Sequence, residues 1–511
     1  MTPSSSFASR LRSAINDHGA WLIVNGSLIM VGLILAAPLL QNAWLCTDDG
    51  ALHVYRTVAL DRALSGGLLY PRWFPDPAFG YGFPFFNYRE PLGYYLIEFV
   101  HLLGASFPLA LNLVLAGSLI AGGLTMNLWV SDIFDRPAGF VAAIVYMAAP
   151  YTVLDSLVRS NLPEAIALAL LPLILWAFRR LLLRGGRKYF ACAGLSLAAL
   201  LLTHNISSLI FAPVLIVYIV VLCVTHPAKE QRMTRDALRV TLLAFVLALA
   251  LTSFFWLPAL TEGQSAQLYL THSARGNDYH FNFATVSEVF GPPGTSDPAL
   301  LNPPLHIVLG WAQIVLAVLG VVLIKWLSTR EQRVHVIMAA LAAVIFILMA
   351  LPVSLPLWDA LPLIRFVQFP WRFVGRAILP AALLAGAGTY GLFHITHSMF
   401  HNRRILRITQ YALLAIFTLP VLLSTVPLLY PRVCSGKIDL DINDVFAYEH
   451  ATGHIGVDPL GAYLPATVVE RPSGSLLETQ YAAGGPIQRF DRSTLSPGAQ
   501  IIGESYSPNH A

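Results

Sequence analysis

Two adjacent acidic residues, Asp48 and Asp49, directly follow the first long apolar run of the chain. Neighbouring carboxylates repel each other, so each raises the proton affinity of the other, and a carboxylate with raised proton affinity can act as a general base. The alternative is that one of them caps the following helix by accepting hydrogen bonds from its free N–H groups. A cap needs only one carboxylate, which leaves the second for chemistry.

A helix that begins near Asp49 would place four polar residues on one face, because residues four apart lie one above another: Asp49, His53, Thr57 and Asp61. The pattern predicts an amphipathic helix at the membrane surface that ends at the Ser-Gly-Gly sequence of residues 65–67. His53 would then face the same ligand as Asp49. This shared face makes Asp49 the preferred base of the two.

Five further ionisable residues occur in three short motifs: Arg159 and Glu164 in VRSNLPEA, His204 in LLTHNISS, and Arg365 and Arg372 in LIRFVQFPWRF. Arginine suits the binding of a phosphate group, because its planar guanidinium donates two parallel hydrogen bonds and stays charged. Ordinary structural roles are the alternatives. Arg372 could be an interfacial anchor beside Trp371, His204 a hydrogen-bonded helix end, and Glu164 a partner of the helix dipole.

The elements that must position these residues are apolar helices. The chain has 511 residues, of which 56% are hydrophobic and 12% charged, against about 25% charged in soluble domains. Apolar stretches of about twenty residues match the thickness of a bilayer. They predict an all-α polytopic membrane protein with about eleven transmembrane helices. The stretches are 21–40, 108–130, 138–156, 163–178, 189–203, 207–224, 240–258, 305–324, 334–351, 373–395 and 408–430.

Composition also excludes several classes of function. The net charge of +4 is small and gives no indication of nucleic-acid binding. The sequence has no Gly-rich phosphate loop, no CxxC pair and no HExxH motif, so it offers no basis for soluble nucleotide or zinc chemistry.

The basic residues indicate the topology, because they collect in alternate connectors such as Arg179 to Lys188, and positive connectors are cytoplasmic. The apolar segment 91–104 is short and is predicted as a juxtamembrane helix, since a further span would reverse this pattern. The predicted organisation is a cytoplasmic N-terminus (1–20), a transmembrane domain (21–430) with external loops 41–107 and 259–304, and an external tail (431–511). The tail would be either a small β-rich cap or a truncated form of a longer one.

Several motifs together resemble those of GT-C fold glycosyltransferases, integral membrane enzymes that use polyprenyl-phosphate sugars. More narrowly, the chain resembles the membrane family labelled "6-pyruvoyl-tetrahydropterin synthase-related". The resemblance covers about residues 20–465 and rests on the acidic first loop and on NYREPLGYYL, VRSNLPEAIALALLPL, LLTHNISSLI, VQFPWRFVG and, loosely, ATGHIGVDPLGAYLP. Arg89-Glu90 replaces prolines that are common in such proteins, and Ala462 stands where an acid is common. The sequence has no zinc-binding His cluster that would support the pterin label.

The resemblance implies transfer of a sugar from a polyprenyl-phosphate donor to an envelope glycan, lipid or protein acceptor, at the external face of a bacterial inner membrane. It implies that Asp49 or Asp48 is the catalytic base. The implied phosphate-binding residues are Arg159, His204, Arg372 and, in reserve, Arg365, and the implied substrate-binding residues are His53, Tyr88, Glu90, Glu164 and Trp371. The expected partners are the donor, membrane lipids and the acceptor, without nucleic acid. No cofactor is expected, although a divalent metal on Asp48, Asp49 and Glu164 is the open alternative.

Two of the four cysteines, Cys46 and Cys434, are both predicted to be external, each just past a span. In an oxidising compartment they could form a disulfide that ties the first loop to the tail. Cys192 and Cys223 fall within spans and are interpreted as small apolar residues.

Two other classes of function compete with an enzyme. A transporter or flippase for a lipid-linked sugar would need charged residues midway along several spans, or an internal repeat, and the sequence has neither. A non-catalytic scaffold for envelope assembly could keep the fold while its acidic pair was dispensable.

Overall fold

A computed structural model describes residues 4–225, 231–292 and 306–483, together with residues 495, 496, 498 and 499. Helices make up most of the described chain. In chain order the α-helices are α1 (Ser4–Leu35), α2 (Gly50–Ser65), α3 (Phe85–Tyr88), α4 (Leu92–Leu102), α5 (Phe107–Ile133), α6 (Arg136–Met147), α7 (Pro150–Leu154), α8 (Leu162–Arg184), α9 (Arg187–Leu201), α10 (Asn205–Thr225), α11 (Gln231–Leu251), α12 (Ser253–Thr261), α13 (Leu270–Ser273), α14 (Val286–Phe290), α15 (Trp311–Val322), α16 (Arg330–Ala350), α17 (Leu355–Ala360), α18 (Arg372–Met399), α19 (Arg403–Thr425), α20 (Ile442–Thr452) and α21 (Leu477–Ala483).

The centre of the bundle is formed by α5, α6, α8 and α18. Helix α5 packs against α6 and α8, and α18 packs against α6, α15 and α16. Most residues of α18 are buried, and the core between these helices is aliphatic and aromatic. Close packing of this kind gives the bundle a rigid frame on which polar side chains can be held at one end.

Within the described residues, six helices are long and apolar enough to cross a bilayer: α5, α8, α10, α16, α18 and α19. Two bent pairs raise this number to eight if each pair is one span: α6 with residues Pro150–Arg159, bent by 49°, and α11 with α12, bent by 68°. The three remaining predicted spans contain shorter apolar segments: Trp21–Leu35 within α1, α9 with 15 residues and α15 with 12. The number of eleven spans therefore stays a prediction.

The charged side chains separate to the two ends of the bundle. Near the C-terminal end of α8, Arg179 pairs with Asp132 and Glu331. Near the N-terminal end of the same helix, Glu164 pairs with Arg159. At 1.5 Å per residue the two positions on α8 lie about 22 Å apart. The two groups of ion pairs thus lie at opposite ends of α8, and the sorting of connectors to the two faces of a membrane stays a prediction.

Helix α2 begins and ends where the sequence predicts, but it is not an amphipathic surface helix. His53 and Thr57, on its predicted polar face, are 1% and 0% exposed. The helix is covered by α4, α5 and the tail helix α20, so both of its faces pack against protein. The sequence pattern could not indicate this burial, because α20 lies almost 400 residues further along the chain.

The tail is attached to the first loop at several points. Strand β1 (Trp44–Leu45) pairs antiparallel with β2 (Val433–Cys434). The predicted disulfide between Cys46 and Cys434 is confirmed, with the two Cα atoms 5.3 Å apart. Over its described residues the tail contains two α-helices and one two-residue strand. The choice between a β-rich cap and a truncated form stays a prediction.

A buried carboxylate also fixes the tail. Glu449 of α20 accepts hydrogen bonds from the backbone N–H groups of Ala78 (2.7 Å), Phe79 (2.9 Å) and Gly456 (2.7 Å). Ala78 and Phe79 have left-handed backbones, with φ of 60° and 57°. One side chain therefore stabilises an unusual turn of the first loop against the tail.

Candidate active site

A buried carboxylate, Glu164, is the centre of the polar cluster. Its oxygens lie 2.7 Å from Arg159 Nη1, 2.8 Å from Arg376 Nη1 and 3.7 Å from Arg372 Nε. The hydroxyl of Tyr151 donates a further hydrogen bond to it at 2.8 Å. Three guanidinium groups thus surround one carboxylate that is 0% exposed. Glu164 is thus the shared counter-charge of Arg159, Arg372 and Arg376.

The local fold explains how Arg159 and Glu164 meet. Arg159 ends a π-helical segment, Asp155–Arg159, after which Ser160 takes a left-handed backbone with φ of 52°. Asn161 then caps α8, because its side-chain oxygen accepts the backbone N–H of Glu164 at 2.9 Å. Asp155 also binds Arg159, at 3.1 Å. The turn between the π-helical segment and α8 therefore directs both side chains to the same point.

Asp49 lies at the edge of this cluster. Its Oδ2 accepts a hydrogen bond from Asn161 Nδ2 at 2.8 Å and lies 3.8 Å from Arg159 Nε. Asp49 occupies the position before α2, but its side chain makes no capping hydrogen bond to that helix. The capping alternative is thus not the role of this carboxylate. Arg159 joins Asp49, which is partly exposed, to the fully buried Glu164.

Asp48 is the more exposed member of the acidic pair. Its backbone N–H donates to the carbonyl of Val158 at 3.2 Å, which holds the loop against the Arg159 segment. Partial burial, followed by the charge of Asp49, raises the pKa of Asp48 to about 6, while Arg159 lowers it. A carboxylate with this pKa is a competent proton acceptor near neutral pH. The expectation of a raised proton affinity in the pair is therefore met at Asp48.

Two other predicted residues also reach the cluster. The ring of Trp371 lies under the Arg159 guanidinium, 4.9 Å from centroid to Cζ. His204 is buried, and its Nδ1 lies 2.7 Å from Ser207 Oγ, which in turn accepts from Arg376 at 2.6 Å. His204 thus contacts the cluster through Ser207.

Three predicted residues lie elsewhere. Glu90 accepts the backbone N–H of Asn205 at 2.6 Å, which holds the start of α10. Tyr88 stacks on Tyr463 of the tail at 5.7 Å and donates to the carbonyl of Glu262 at 2.9 Å. Arg365 is exposed and lies over the ring of Phe366 at 5.4 Å. The inclusion of Arg365 as a reserve phosphate ligand has no support from this arrangement.

Sequence reasoning missed Arg376, although a signal was present. Arg376 follows Arg372 by four residues, and this spacing places both on one face of α18. It also missed Arg89, whose pKa is raised by the nearby Tyr463, Glu90, Tyr94 and Asp49 despite burial. Arg89 therefore belongs to the surroundings of Asp49.

The described residues contain no group of three or more His, Cys, Asp or Glu side chains that could hold a metal ion. Asp48 and Asp49 are neighbours, but both oxygens of Glu164 already accept hydrogen bonds from Arg159, Arg376 and Tyr151. A cation at Glu164 would have to displace these partners. The arrangement therefore does not favour the metal site considered for these three carboxylates.

An apolar groove of about 780 Å³ runs along the bundle between α10 and α16. Aliphatic and aromatic side chains line it, among them Pro213, Val217, Leu341 and Ile345. Its lining includes Val367, whose carbonyl accepts a hydrogen bond from Arg372 Nη1 at 2.7 Å. One lining residue of the groove therefore contacts the arginine cluster.

The arrangement of the helices is similar to that of solved membrane proteins. The apo oligosaccharyltransferase of Archaeoglobus fulgidus has this likeness, with a TM-score of 0.52, 12% identity and coverage of 90% of this chain and 63% of that chain. ArnT from Cupriavidus metallidurans bound to undecaprenyl phosphate matches with a TM-score of 0.49 and 15% identity, over 80% of this chain and 76% of that one.

A family model described as "6-pyruvoyl-tetrahydropterin synthase related domain; membrane protein" matches residues 86–427. The chain belongs to this family. An uncharacterized protein of Lactococcus lactis subsp. cremoris is 19% identical over 260 residues, which are 50% of this chain and 42% of that protein. The chain thus spans less than two thirds of the length of this relative and of the solved oligosaccharyltransferase.

Proposed function

We propose that this protein is a membrane glycosyltransferase. It moves a sugar from a polyprenyl-phosphate donor to a hydroxyl group of an envelope glycan, lipid or protein. The observation that carries the proposal is the position of Arg159, which lies 3.8 Å from Asp49 and 2.7 Å from Glu164. It places a partly exposed acidic pair, suited to accept a proton, beside a buried group of cations suited to hold a phosphate.

The acidic pair would perform the first part of the reaction. Asp48 or Asp49 accepts the proton of the acceptor hydroxyl while the oxygen of that hydroxyl attacks the anomeric carbon. The bond between the anomeric carbon and the phosphate oxygen breaks, and its electrons remain on the phosphate. The raised pKa of Asp48, about 6, supports its role as the acceptor of this proton.

The arginine cluster would stabilise the leaving phosphate, which gains negative charge as the bond breaks. Arg159, Arg372 and Arg376 surround a single buried carboxylate, Glu164. The Nε atoms of Arg372 and Arg376 are buried and have no hydrogen-bond partner among the described residues. Guanidinium groups with free donors are suited to bind a phosphate from two sides.

The apolar groove supports a lipid-linked donor over a water-soluble one. It lies between α10 and α16, and its lining residue Val367 contacts Arg372. A polyprenyl chain in this groove would deliver its phosphate to the arginine cluster. The similarity to the apo oligosaccharyltransferase, at 12% identity, supports only the fold.

The disulfide supports an external site. Cys46 is two residues from Asp48, and its bond to Cys434 lies at the same end of the bundle as the cluster. Disulfides persist in oxidising compartments. We therefore place the acidic pair and the tail at the external face of a bacterial inner membrane, with the N-terminus in the cytoplasm, as the distribution of basic connectors predicts.

The test uses Asp48→Asn, Asp49→Asn and the double variant, with Asp439→Asn, an exposed acid of the tail, as the matched control. Purified proteins are given polyprenyl-phosphate sugars and an envelope extract, and release of polyprenyl phosphate and labelling of the extract are measured. We expect the double variant to lose transfer and the control to retain it. Full transfer by the double variant would remove the proposed base. No transfer by the wild-type protein in this assay would favour a scaffold, and movement of the intact donor across vesicles would favour a flippase.

A further inference from the structure

Three buried side chains form a hydrogen-bonded chain beside the acidic pair. Arg56 Nη1 donates to the hydroxyl oxygen of Tyr94 at 3.3 Å, and this hydroxyl lies 3.0 Å from His53 Nδ1. The three residues are 6%, 1% and 1% exposed, respectively. Arg56 is itself held in place, because its Nε donates to the carbonyl of Val457 at 3.0 Å. The tail thus fixes the position of Arg56, and through Arg56 it fixes the other two side chains.

These hydrogen bonds determine which nitrogen of His53 has the proton. Arginine can only donate, so the Tyr94 oxygen accepts from Arg56 and its single hydrogen remains to be donated. The described partner in reach of that hydrogen is His53 Nδ1, which must then be the unprotonated nitrogen. A neutral imidazole with an unprotonated Nδ1 has its proton on Nε2. The opposite tautomer would leave the buried Tyr94 hydroxyl hydrogen without an acceptor.

His53 is also held in the neutral form. Burial, followed by the charges of Arg56, Arg89 and Arg159, lowers the pKa of His53 well below its usual value. The N–H at Nε2 therefore persists as a single, uncharged donor at neutral pH. Atom Nε2 is buried and has no hydrogen-bond partner among the described residues. Buried donors are nearly always satisfied, and a ligand oxygen would satisfy this one.

The surroundings define the ligand atom. Arg89 and Arg159 both exert their charge on His53, and Arg159 is part of the cluster around Glu164. An N–H donor next to two guanidinium groups is suited to an anionic oxygen, since charge-assisted hydrogen bonds to such an oxygen are stronger than neutral ones. A sugar hydroxyl would gain less from these positive charges.

We propose that the Nε2–H group of His53 donates a hydrogen bond to a phosphate oxygen of the bound polyprenyl-phosphate donor. Arg56 and Tyr94 are positioning residues that hold this tautomer and orientation. The inference rests on the proposed function, because it takes the donor from it. His53 of α2 is thus an uncharged ligand of the phosphate. It acts in addition to the arginines of α18 and of the segment before α8.

The first experiment measures binding of undecaprenyl phosphate, without a sugar, to protein in nanodiscs. His53→Leu removes the donor, His53→Gln keeps an N–H group near the position of Nε2, and Tyr94→Phe removes the hydroxyl. His397→Leu, at an exposed histidine of α18, is the control. We expect binding to weaken about ten-fold or more in His53→Leu and less in Tyr94→Phe. His53→Gln should retain most of the affinity, and the control should equal the wild-type protein.

The second experiment reads the tautomer without a ligand. Protein labelled with 15N-histidine contains 15 histidines, and the signal absent from His53→Gln belongs to His53. We expect a neutral ring with its proton on Nε2 from about pH 5 to pH 8, and a mixture of tautomers in Tyr94→Phe. A proton on Nδ1 would overturn the inference, and so would equal binding of undecaprenyl phosphate by wild-type protein and His53→Leu. Absence of binding by the wild-type protein would instead contradict the proposed donor, and the inference with it.

Discussion

Arg376 and Glu164 form an ion pair of 2.8 Å between α18 and α8, at residues that are 2% and 0% exposed. The two residues are 212 positions apart in the sequence, so the pair joins two helices that are distant along the chain. Burying charges is unfavourable unless they are paired, so this contact and those of Arg159 and Arg372 stabilise the fold only as a group. The same carboxylate that orders the proposed phosphate site is therefore also a structural residue.

We predict that Glu164→Gln destabilises the protein strongly, because three guanidinium groups lose their shared counter-charge. Removal of one partner of a buried pair costs about 3–5 kcal/mol. The midpoint of thermal unfolding in detergent should fall well below that of Glu470→Gln, an exposed acid of the tail that serves as the control. Addition of undecaprenyl phosphate should recover part of the loss if the phosphate replaces the carboxylate charge. An unfolding midpoint equal to that of the control would show that the pairing is not stabilising.

The second prediction concerns the pH dependence of stability. Burial and Asp49 raise the pKa of Asp48 from 3.8 to about 6, so the folded state binds this proton more tightly than the unfolded state. The contribution of Asp48 to stability is thus fully present below about pH 4 and is lost as the pH rises through about 6. Asp48→Asn should therefore match the wild-type protein at about pH 4 and be more stable at about pH 7.5. Thermal unfolding across this range, with Asp439→Asn as the control, provides the measurement, and a difference that does not change with pH would contradict it.

The third prediction concerns the disulfide between Cys46 and Cys434. Cys46→Ser should lower the free energy of unfolding by about 2–5 kcal/mol, because the bond closes a long loop of chain. It should also loosen the segment before Asp48 and reduce sugar transfer. Cys223→Ser, at a free cysteine, is the control. Non-reducing mass mapping should recover the linked peptides from the wild-type protein, and recovery of both thiols as free would contradict the pairing.

The fourth prediction concerns the apolar groove. Leu341 lines it and is 60% exposed, so Leu341→Trp adds an aromatic ring to its lumen without overpacking the core. Binding of undecaprenyl phosphate should weaken several-fold, whereas binding of a phosphate with a single short prenyl unit should not change. Leu419→Trp, on the exposed side of α19, should leave both affinities unaltered. Equal weakening for the short and the long lipid would argue that the chain does not lie in this groove.

Much of the site could be predicted from the sequence because the signals were local. The acidic pair, the Arg159 and Glu164 motif, and Arg372 each lie at the end of an apolar stretch, and the positive-inside rule sorts such ends to one face. In the structure Asp49, Arg159, Glu164 and Arg372 form a series of contacts, each within 4 Å of the next. The disulfide was predictable for the same reason, since both cysteines lie just past a span at that face.

The remaining errors come from contacts that no local pattern encodes. Arg365 and Arg372 occur in one motif, but Gln368 between them has a left-handed backbone with φ of 66°, and this turn separates the two arginines. The burial of α2 depends on α20, which the disulfide holds against it. Arg376 could have been found from its spacing to Arg372, so its omission was avoidable.

Asn161 uses both ends of its amide, the oxygen for the backbone of Glu164 and the nitrogen for the carboxylate of Asp49. Most residues that begin helices well, such as serine, threonine or aspartate, offer an acceptor for that backbone. Aspartate in this place would also turn a second negative charge toward Asp49. Helix initiation would therefore tolerate a substitution that the acidic pair would not, because this single amide joins the start of α8 to the carboxylate of Asp49.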